Sequence, residues 1–222
     1  MKKVSDSTVS RLSVYLRLLE ELGQEGVTAL SSEELADHCG TSAAQVRKDL
    51  SFFGTFGKRG MGYGVAELIA ALRSILGLER RWRVALVGAG KIGAALFAYQ
   101  DFRRQGFYIE SVFDSDTTKV GQRWNGLMIR HDAELDEALR RDAVDIAIIA
   151  VPADVAQGVV DRVVSAGVKA ILNFAPVKLR VPDHVALKNV NMALELEGLS
   201  YALANSGGVD RGQQSRAAAA RN

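Results

Sequence analysis

The period of the apolar positions changes near residue 82. Between Thr8 and Leu22, Val9, Leu12, Leu16 and Leu19 recur three or four apart, the spacing of one helix face. Gly23 and Gly26 end that pattern. Ser31 and Ser32 stand ahead of Glu33 and Glu34, which predicts a helix N-cap, where a hydroxyl accepts from an unpaired backbone N–H. A short helix over 33–39 follows, then a turn at Gly40 and Thr41, then a second helix over 42–53. Short helix, tight glycine turn and second helix outline a helix-turn-helix. The stretch GTFGKRGMGYG at 54–64 carries five glycines. It predicts a tight β-hairpin, or wing, because each interior glycine costs a helix about 1 kcal/mol. Residues 65–76 then read as an amphipathic linker helix ended by Gly77.

Beyond residue 82, apolar strand-like runs alternate with amphipathic ones. Strands are expected at 83–87, at 108–113 ending on Asp114, at 127–130, 146–150 and 170–173, and around Val190. Helices are expected at 91–104, 133–141 and 154–166. Such alternation implies a parallel sheet covered on both faces. A last helix over 193–204 is expected to be apolar on one face, and the tail from Ser206, rich in Gly, Gln, Ala and Arg, to be disordered. The fold class is an α+β winged helix-turn-helix domain at 1–81, followed by a doubly wound α/β domain at 82–192, a terminal helix at 193–205 and a tail at 206–222.

The segment GAGKIG (Gly88, Ala89, Gly90, Lys91, Ile92, Gly93) follows an apolar strand and opens a helix. That context gives GxGxxG spacing its meaning as a dinucleotide fingerprint of the Rossmann type. Gly88 permits a tight turn, Gly90 lets a pyrophosphate approach the backbone, and Gly93 lets helix and strand pack closely. The helix N-terminus supplies unpaired N–H groups to the phosphates. Asp114, 21 residues after Gly93 and at the end of the next strand, suits the adenosine ribose hydroxyls. A carboxylate there repels a 2′-phosphate, so NAD(H) is favoured over NADP(H). The loops Ala150-Val151-Pro152 and Asn173-Phe174-Ala175-Pro176 follow later strands, where the ligand crevice of such sheets lies. Their apolar content suits a neutral nicotinamide, although the two prolines also serve simply to end strands.

Net charge is only +2, but residues 40–64 hold Arg47, Lys48, Lys58 and Arg59 against the single acid Asp49. A local basic patch is a footprint of nucleic acid, with an ordinary solvated face as the alternative. On the second helix of the helix-turn-helix, Ser42, Gln45 and Lys48 share a face, with Arg47 beside them. Arg and Lys can donate to guanine, Gln can pair with adenine, and Asp49 could accept from cytosine N4. Val46, Leu50 and Phe53 form the core-facing stripe. Lys58 and Arg59, between glycines, would reach phosphates or a narrow minor groove.

A dehydrogenase is the obvious rival reading. It needs a substrate region and a positioned acid or base, yet the cofactor core uses nearly all of 82–205. His38, His131 and His184 do not fall at the nicotinamide end, and no tyrosine has a lysine four positions later. No Cys/His cluster suggests a metal. The cofactor therefore reads as a signal, and the chain as no enzyme; a small oxidoreductase and a constitutive DNA binder with a structural cofactor are the other classes. No apolar run approaches the roughly 20 residues of a membrane span. The start MKKVSDS lacks an apolar signal region, and the lone Cys39 cannot form an internal disulfide, so a cytoplasmic protein with no membrane partner is expected.

Three segments resemble the Rex family of redox-sensing transcriptional repressors: AQVRKDLSFFGTFGKRGMGY at 44–63, VGAGKIGAALFAY at 87–99 and ILNFAPVKLRVP at 171–182. The resemblance runs from Thr8 to Leu203. It implies a homodimer whose C-terminal helix, here 193–204, swaps onto the partner. It implies that Arg47 and Lys48 read the major groove, that Arg59 enters the minor groove, and that Tyr63 supports the wing. It implies binding to double-stranded palindromic operators when NADH is scarce and release as NADH rises, with NAD+ as the competing ligand. It also assigns a switch network to Arg17, Tyr99 and an aspartate ahead of the swapped helix. Here that position is Asn191, which cannot form the charge-assisted pair with Arg17 that a carboxylate would.

Overall fold

A computed structural model describes residues 4–57 and 61–206. The chain divides into two compact units, Met1–Arg81 and Trp82–Asn222.

The first unit opens with α1 (Asp6–Gln24), capped by the Ser5 hydroxyl, which accepts from the Thr8 N–H at 3.2 Å. Then come β1 (Ala29–Leu30), α2 (Ser32–His38), α3 (Ala43–Ser51), β2 (Tyr63–Gly64) and α4 (Val65–Ile75). Leu12, Tyr15, Leu16 and Leu19 of α1 pack with Leu35, Val46, Leu50, Leu68 and Leu72 into one core. Val9 lies off that stripe and is exposed, while Thr8 is buried. Ser31 and Glu34 form a reciprocal capping box at the start of α2. Ser42 caps α3 by accepting from the Gln45 N–H at 3.2 Å. Strand β2 pairs antiparallel with β1, Leu30 opposite Tyr63. The wing's return strand is thus held by the segment ahead of α2; residues 58–60 lie outside the described residues.

One carboxylate is buried between α1 and α3. Asp49 is 0 % exposed. It accepts from Arg11 Nε (2.6 Å) and Nη2 (2.7 Å), from the Tyr15 hydroxyl (3.0 Å) and from Gln45 Nε2 (2.8 Å). Burial alone would push this carboxyl up, but those donors hold it below the usual carboxylate range. Asp49 therefore joins two helices and is not available to a cytosine amine, contrary to the sequence expectation.

The second unit holds a seven-stranded sheet. Its strands are β3 (Trp82–Val87), β4 (Phe107–Asp114), β5 (Arg123–Trp124), β6 (Leu127–His131), β7 (Ile146–Ile149), β8 (Ala170–Asn173) and β9 (Ala186–Asn189). The order is β5-β6-β4-β3-β7-β8-β9, all parallel except β5, which is antiparallel to β6. Strand order runs outward in both directions from β3, so the topological switch point opens between β3 and β7. Alternate residues supply the two faces: Ala85 and Val87 join Phe113, Leu139, Ile149 and Val160, whereas Val84 and Leu86 join Val112, Ile129 and Ile148.

The connections are α5 (Lys91–Ala98), α6 (Gln100–Arg104), α7 (Leu135–Arg141) and α8 (Ala153–Ser165). The single helix expected over 91–104 is two, broken where Tyr99 is extended (φ −72°, ψ 102°) and its ring meets Phe102 edge-on at 5.1 Å. The helix expected from 133 starts as a 3₁₀ turn at Asp132–Glu134. Strand β5 was not expected; it turns into β6 through Asn125 and Gly126, both at positive φ, as a tight hairpin requires.

Helix α9 (Met192–Ser206) closes the described chain. Helical periodicity places Met192, Leu196, Leu199 and Leu203 on one side and Leu194 and Tyr201 opposite. Apolar groups thus occupy both sides rather than one, and all six are 59–75 % exposed. The tail expected to be disordered falls, from 207 onward, outside the described residues.

Burial first, and Asp49 second, push the Tyr15 phenol up to about 12. The fold thus favours the neutral phenol. Its stabilisation is full below the unfolded value near 10 and is lost as pH rises toward about 12. Denaturant unfolding across that window is expected to show stability falling more steeply in the native protein than in Tyr15→Phe. Equal slopes would contradict this assignment.

Candidate functional site

The C-terminal ends of β3, β4 and β7 enclose a cleft of about 810 Å³. Three glycines shape its floor, each for a different reason. Gly88 has φ +102°, and a Cβ there would strike the Ala150 carbonyl. A Cβ on Gly93 would strike the Gly88 carbonyl oxygen, so only glycine lets α5 approach the strand end this closely. A Cβ on Gly90 would meet nothing within 4 Å, which leaves that backbone open to a ligand. No side chain caps α5, so its first N–H groups face this opening. The cradle suits an anionic pyrophosphate.

Asp114 is 9 % exposed and lines the same cleft. Its Oδ2 accepts from the Ala89 N–H at 2.7 Å and its Oδ1 from the Asp116 N–H at 2.8 Å. Lys119 Nζ lies 3.3 Å from carboxylate oxygens of both Asp114 and Asp116. Burial alone would lower the Lys119 ammonium, but the two carboxylates hold it above its ordinary value. Hydrogen bonds from Thr118, then the Lys119 charge, hold Asp116 below the usual range. The rest of the wall is mostly apolar: Val151, Pro152, Val155, Val159, Phe174 and Pro176.

Of the residues expected around a dinucleotide, Gly88, Gly90, Lys91, Ile92, Asp114, Val151, Pro152 and Phe174 line the cleft. Ala89, Gly93, Asn173 and Ala175 are buried beneath it. Asn173 is a correction. Its amide donates to the Ala175 and Val177 carbonyls and to Asn189 Oδ1, and its Oδ1 accepts from the Ala175 N–H. It shapes the loop from below, and presents no free polar atom to a ligand. Sequence reasoning missed Lys119, Asp116 and Asp132 in the lining. The spacing Asp114-x-Asp116-x-x-Lys119 was the available signal.

In the first unit, Ser42, Arg47 and Lys48 are exposed on α3, and Gln45 is half-buried. Arg47 Nη1 donates to Ser32 Oγ (2.7 Å) and Glu33 Oε1 (3.1 Å) on α2. The Arg47–Glu33 pair is largely solvated, so it is weak and easily exchanged for another anion. Among the described residues the Lys48 ammonium has no partner. Tyr63 is buried in the core, and burial pushes its phenol up. Lys58 and Arg59 lie outside the described residues. Burial also pushes the half-buried Cys39 thiol up, away from the thiolate form.

The three residues expected in a switch network stand as follows. Arg17 is exposed on α1. The Tyr99 hydroxyl, in the second unit, donates to Asp101 Oδ2 at 3.1 Å. Asn191 Oδ1 accepts from the Ala193 N–H at 3.0 Å and so caps α9, a role an aspartate would fill equally. Among the described residues, no group of three or more metal-ligating side chains could hold an ion, and no helix is long and apolar enough to cross a membrane.

Two family models match the chain: "CoA binding domain" over residues 79–177 and "Putative DNA-binding protein N-terminus" over residues 3–51. The chain is 50% identical over 199 residues to a redox-sensing transcriptional repressor Rex of Carboxydothermus hydrogenoformans, covering 90% of this chain and 96% of the relative. It is 48% identical to that of Pelotomaculum thermopropionicum, over 90% and 94% of the two chains. Among solved structures, it resembles RSP in complex with β-NAD+ and operator DNA, with a TM-score of 0.90, 37% identity, and coverage of 95% and 97%. It also resembles RSP in complex with β-NADH, with a TM-score of 0.87, 36% identity, and coverage of 95% and 99%.

The contrast between two glycines is testable. Gly93→Ala is expected to lower stability by about 1–3 kcal/mol, because the methyl has no room. Gly90→Ala, at an ordinary φ, is expected to be neutral or stabilising by up to about 1 kcal/mol while weakening ligand binding at the cradle. Urea unfolding with dinucleotide titration of both variants separates the two effects; equal stability loss would contradict the assignment.

Proposed function

Because the chain belongs to the Rex family of redox-sensing transcriptional repressors, we propose that its two units divide one switch between them. The first binds operator DNA; the second binds NADH, and NADH binding releases the operator. The chain then reports the NADH/NAD+ balance, acting in the cytoplasm where the DNA is. The observation that carries this reading is a preformed pyrophosphate cradle at the sheet's switch point, in a chain that also carries a helix-turn-helix with solvent-facing Arg47 and Lys48.

Ligand choice follows from the cleft. Asp114, with its lone pairs partly held by Ala89 and Asp116, receives the adenosine ribose hydroxyls and disfavours a 2′-phosphate. Gly88, Gly90 and the first turn of α5, with Lys91, hold the pyrophosphate. The nicotinamide meets Val151, Pro152 and Phe174. An apolar wall penalises the cationic ring of NAD+ and accepts the neutral ring of NADH.

DNA reading falls to Ser42, Gln45, Arg47 and Lys48 on α3, with Lys58 and Arg59 of the wing on the backbone or minor groove and Tyr63 supporting the wing from within. A homodimer places two such helices on a palindrome. Helix α9, apolar on both sides, is the element that a partner would cover, as the domain-swapped arrangement requires. NADH can move the dimer only through unequal affinity for its DNA-bound and released forms. Arg17, Tyr99 and Asn191 are the residues we place at that switch. With Asn191 neutral, it works through hydrogen bonds rather than an ion pair.

Two measurements test this reading. In fluorescence anisotropy at fixed salt, NADH is expected to release a labelled palindromic operator at concentrations where NAD+ has little effect. Binding indifferent to both nucleotides would overturn the sensor assignment. Leu199→Glu is expected to convert the dimer to monomer in sedimentation and to weaken operator binding at least tenfold, since each half-site is then bound alone. An unchanged dimer would remove α9 from the interface.

A further inference from the structure

Glutamine on a recognition helix ordinarily offers both an acceptor and donors, and free rotation of its amide lets it use either. Gln45 does not have that freedom. Its Nε2 donates to Asp49 Oδ1 at 2.8 Å. A carboxylate only accepts, so the amide nitrogen, and not the oxygen, must face it. The carboxylate is kept ionised by the bidentate Arg11 guanidinium. Two donors reach each of its oxygens: Arg11 Nε and the Tyr15 hydroxyl on Oδ2, Arg11 Nη2 and Gln45 Nε2 on Oδ1. Turning the amide over would place Gln45 Oε1 against that buried anion, and leave one acceptor site unfilled.

The opposite end of the amide is accessible. Gln45 is half-buried, and among the described residues the only buried side-chain N or O without a hydrogen bond is Ser111 Oγ. Gln45 Oε1, which has no partner among the described residues, therefore keeps contact with solvent, on the face it shares with Ser42 and Lys48. We infer that Gln45 reads the operator through Oε1 as a single hydrogen-bond acceptor, its orientation locked by Asp49. It thereby selects, at one position of the half-site, a base that presents an exocyclic amine to the major groove over one that presents a carbonyl. Those amines are adenine N6 and cytosine N4. A bidentate glutamine–adenine pair would also need an amide N–H at adenine N7; one of the two N–H groups is committed to Asp49, and 7-deaza replacement separates a pair made by Oε1 alone from one that also uses the second. Asp49 is a positioning residue: it touches no base, but decides which atom of Gln45 does. The inference rests on the repressor reading above.

The test uses the full-length protein and a palindrome selected by that protein from a random library. Each adenine and cytosine of the half-site is replaced in turn by purine or 2-pyrimidinone, which lack the exocyclic amine, and each purine by its 7-deaza analogue. For the native protein, one amine deletion per half-site is expected to weaken binding about five- to tenfold, with no penalty for 7-deaza replacement at that position. Gln45→Met is expected to be indifferent to that amine and to retain the other preferences. Asp49→Asn frees the amide to turn, so discrimination between amine-bearing bases (adenine, cytosine) and carbonyl-bearing bases (thymine, guanine) is expected to shrink at that one position. A general packing defect would instead weaken all sequences alike. If Asp49→Asn fails to fold, Gln45→Met decides alone. An amine penalty unchanged by Gln45→Met, or a matching N7 penalty that the substitution abolishes, would overturn the inference and leave the repressor reading intact. Failure to select any sequence would overturn both.

Discussion

The second unit is organised around the close approach of α5 to the end of β3. Two backbone carbonyls and two missing side chains set that distance: Gly88 clears Ala150, and Gly93 clears Gly88. Within the turn, the Gly88 N–H donates to the Phe113 carbonyl, and the Ala89 N–H is left for a side chain. Asp114 takes that hydrogen at 2.7 Å and so ties the turn to the end of the neighbouring strand. The cleft, the apolar wall and the α5 N-terminus all take their positions from this junction. A turn fixed in this way has less backbone freedom to lose when a ligand binds there.

The first unit solves a similar problem with a similar group. Few polar side chains among the described residues are buried, and two of them are the carboxylates Asp49 and Asp114. Each accepts from several neighbours, and each fixes a segment proposed to meet a ligand: α3 in one case, the glycine turn in the other. A buried carboxylate is tolerable only when its lone pairs are filled. At Asp49 all four acceptor positions are used, which is why the residue specifies geometry so tightly. Removing one donor leaves the remaining charge under-satisfied, so the arrangement admits few alternatives.

Much of this was legible in the sequence, because periodicity and glycine spacing are local signals. The apolar stripe of α1, the Ser31–Glu34 box, the strand–glycine–helix order at 82–93 and the strand-end position of Asp114 all follow from short-range rules. What was missed depends on residues distant in the chain. Asp49 reads as a base-contacting acid on a helix until Arg11 and Tyr15, more than 30 positions earlier, are folded onto it. Asn173 reads as a crevice residue until β9 brings Asn189 beside it. Lys119 joins the cleft only because the loop after β4 turns back on Asp114. Strand β5 was the exception, since the Asn125-Gly126 pair is a local hairpin signal that went unused.

Helix α9 carries the argument beyond a single chain. A helix with apolar groups on both sides gains little by standing alone in water, and its side chains here remain exposed. Covering six large apolar side chains recovers on the order of 1.5–3 kcal/mol each when burial is complete, so on the proposed reading assembly supplies much of what holds this element. That couples the two ends of α9 to different tasks. Its body is the part proposed to meet a partner, while its start is capped by Asn191, one residue beyond the backbone bond from Val190 to Asn173 at the sheet. The loop that Asn173 shapes, where Phe174 lines the cleft, is therefore separated from the cap of α9 by two consecutive residues. The cleft end of the sheet and the start of α9 thus share a short, polar connection, and on the proposed reading a neutral asparagine would act through it by hydrogen-bond geometry alone.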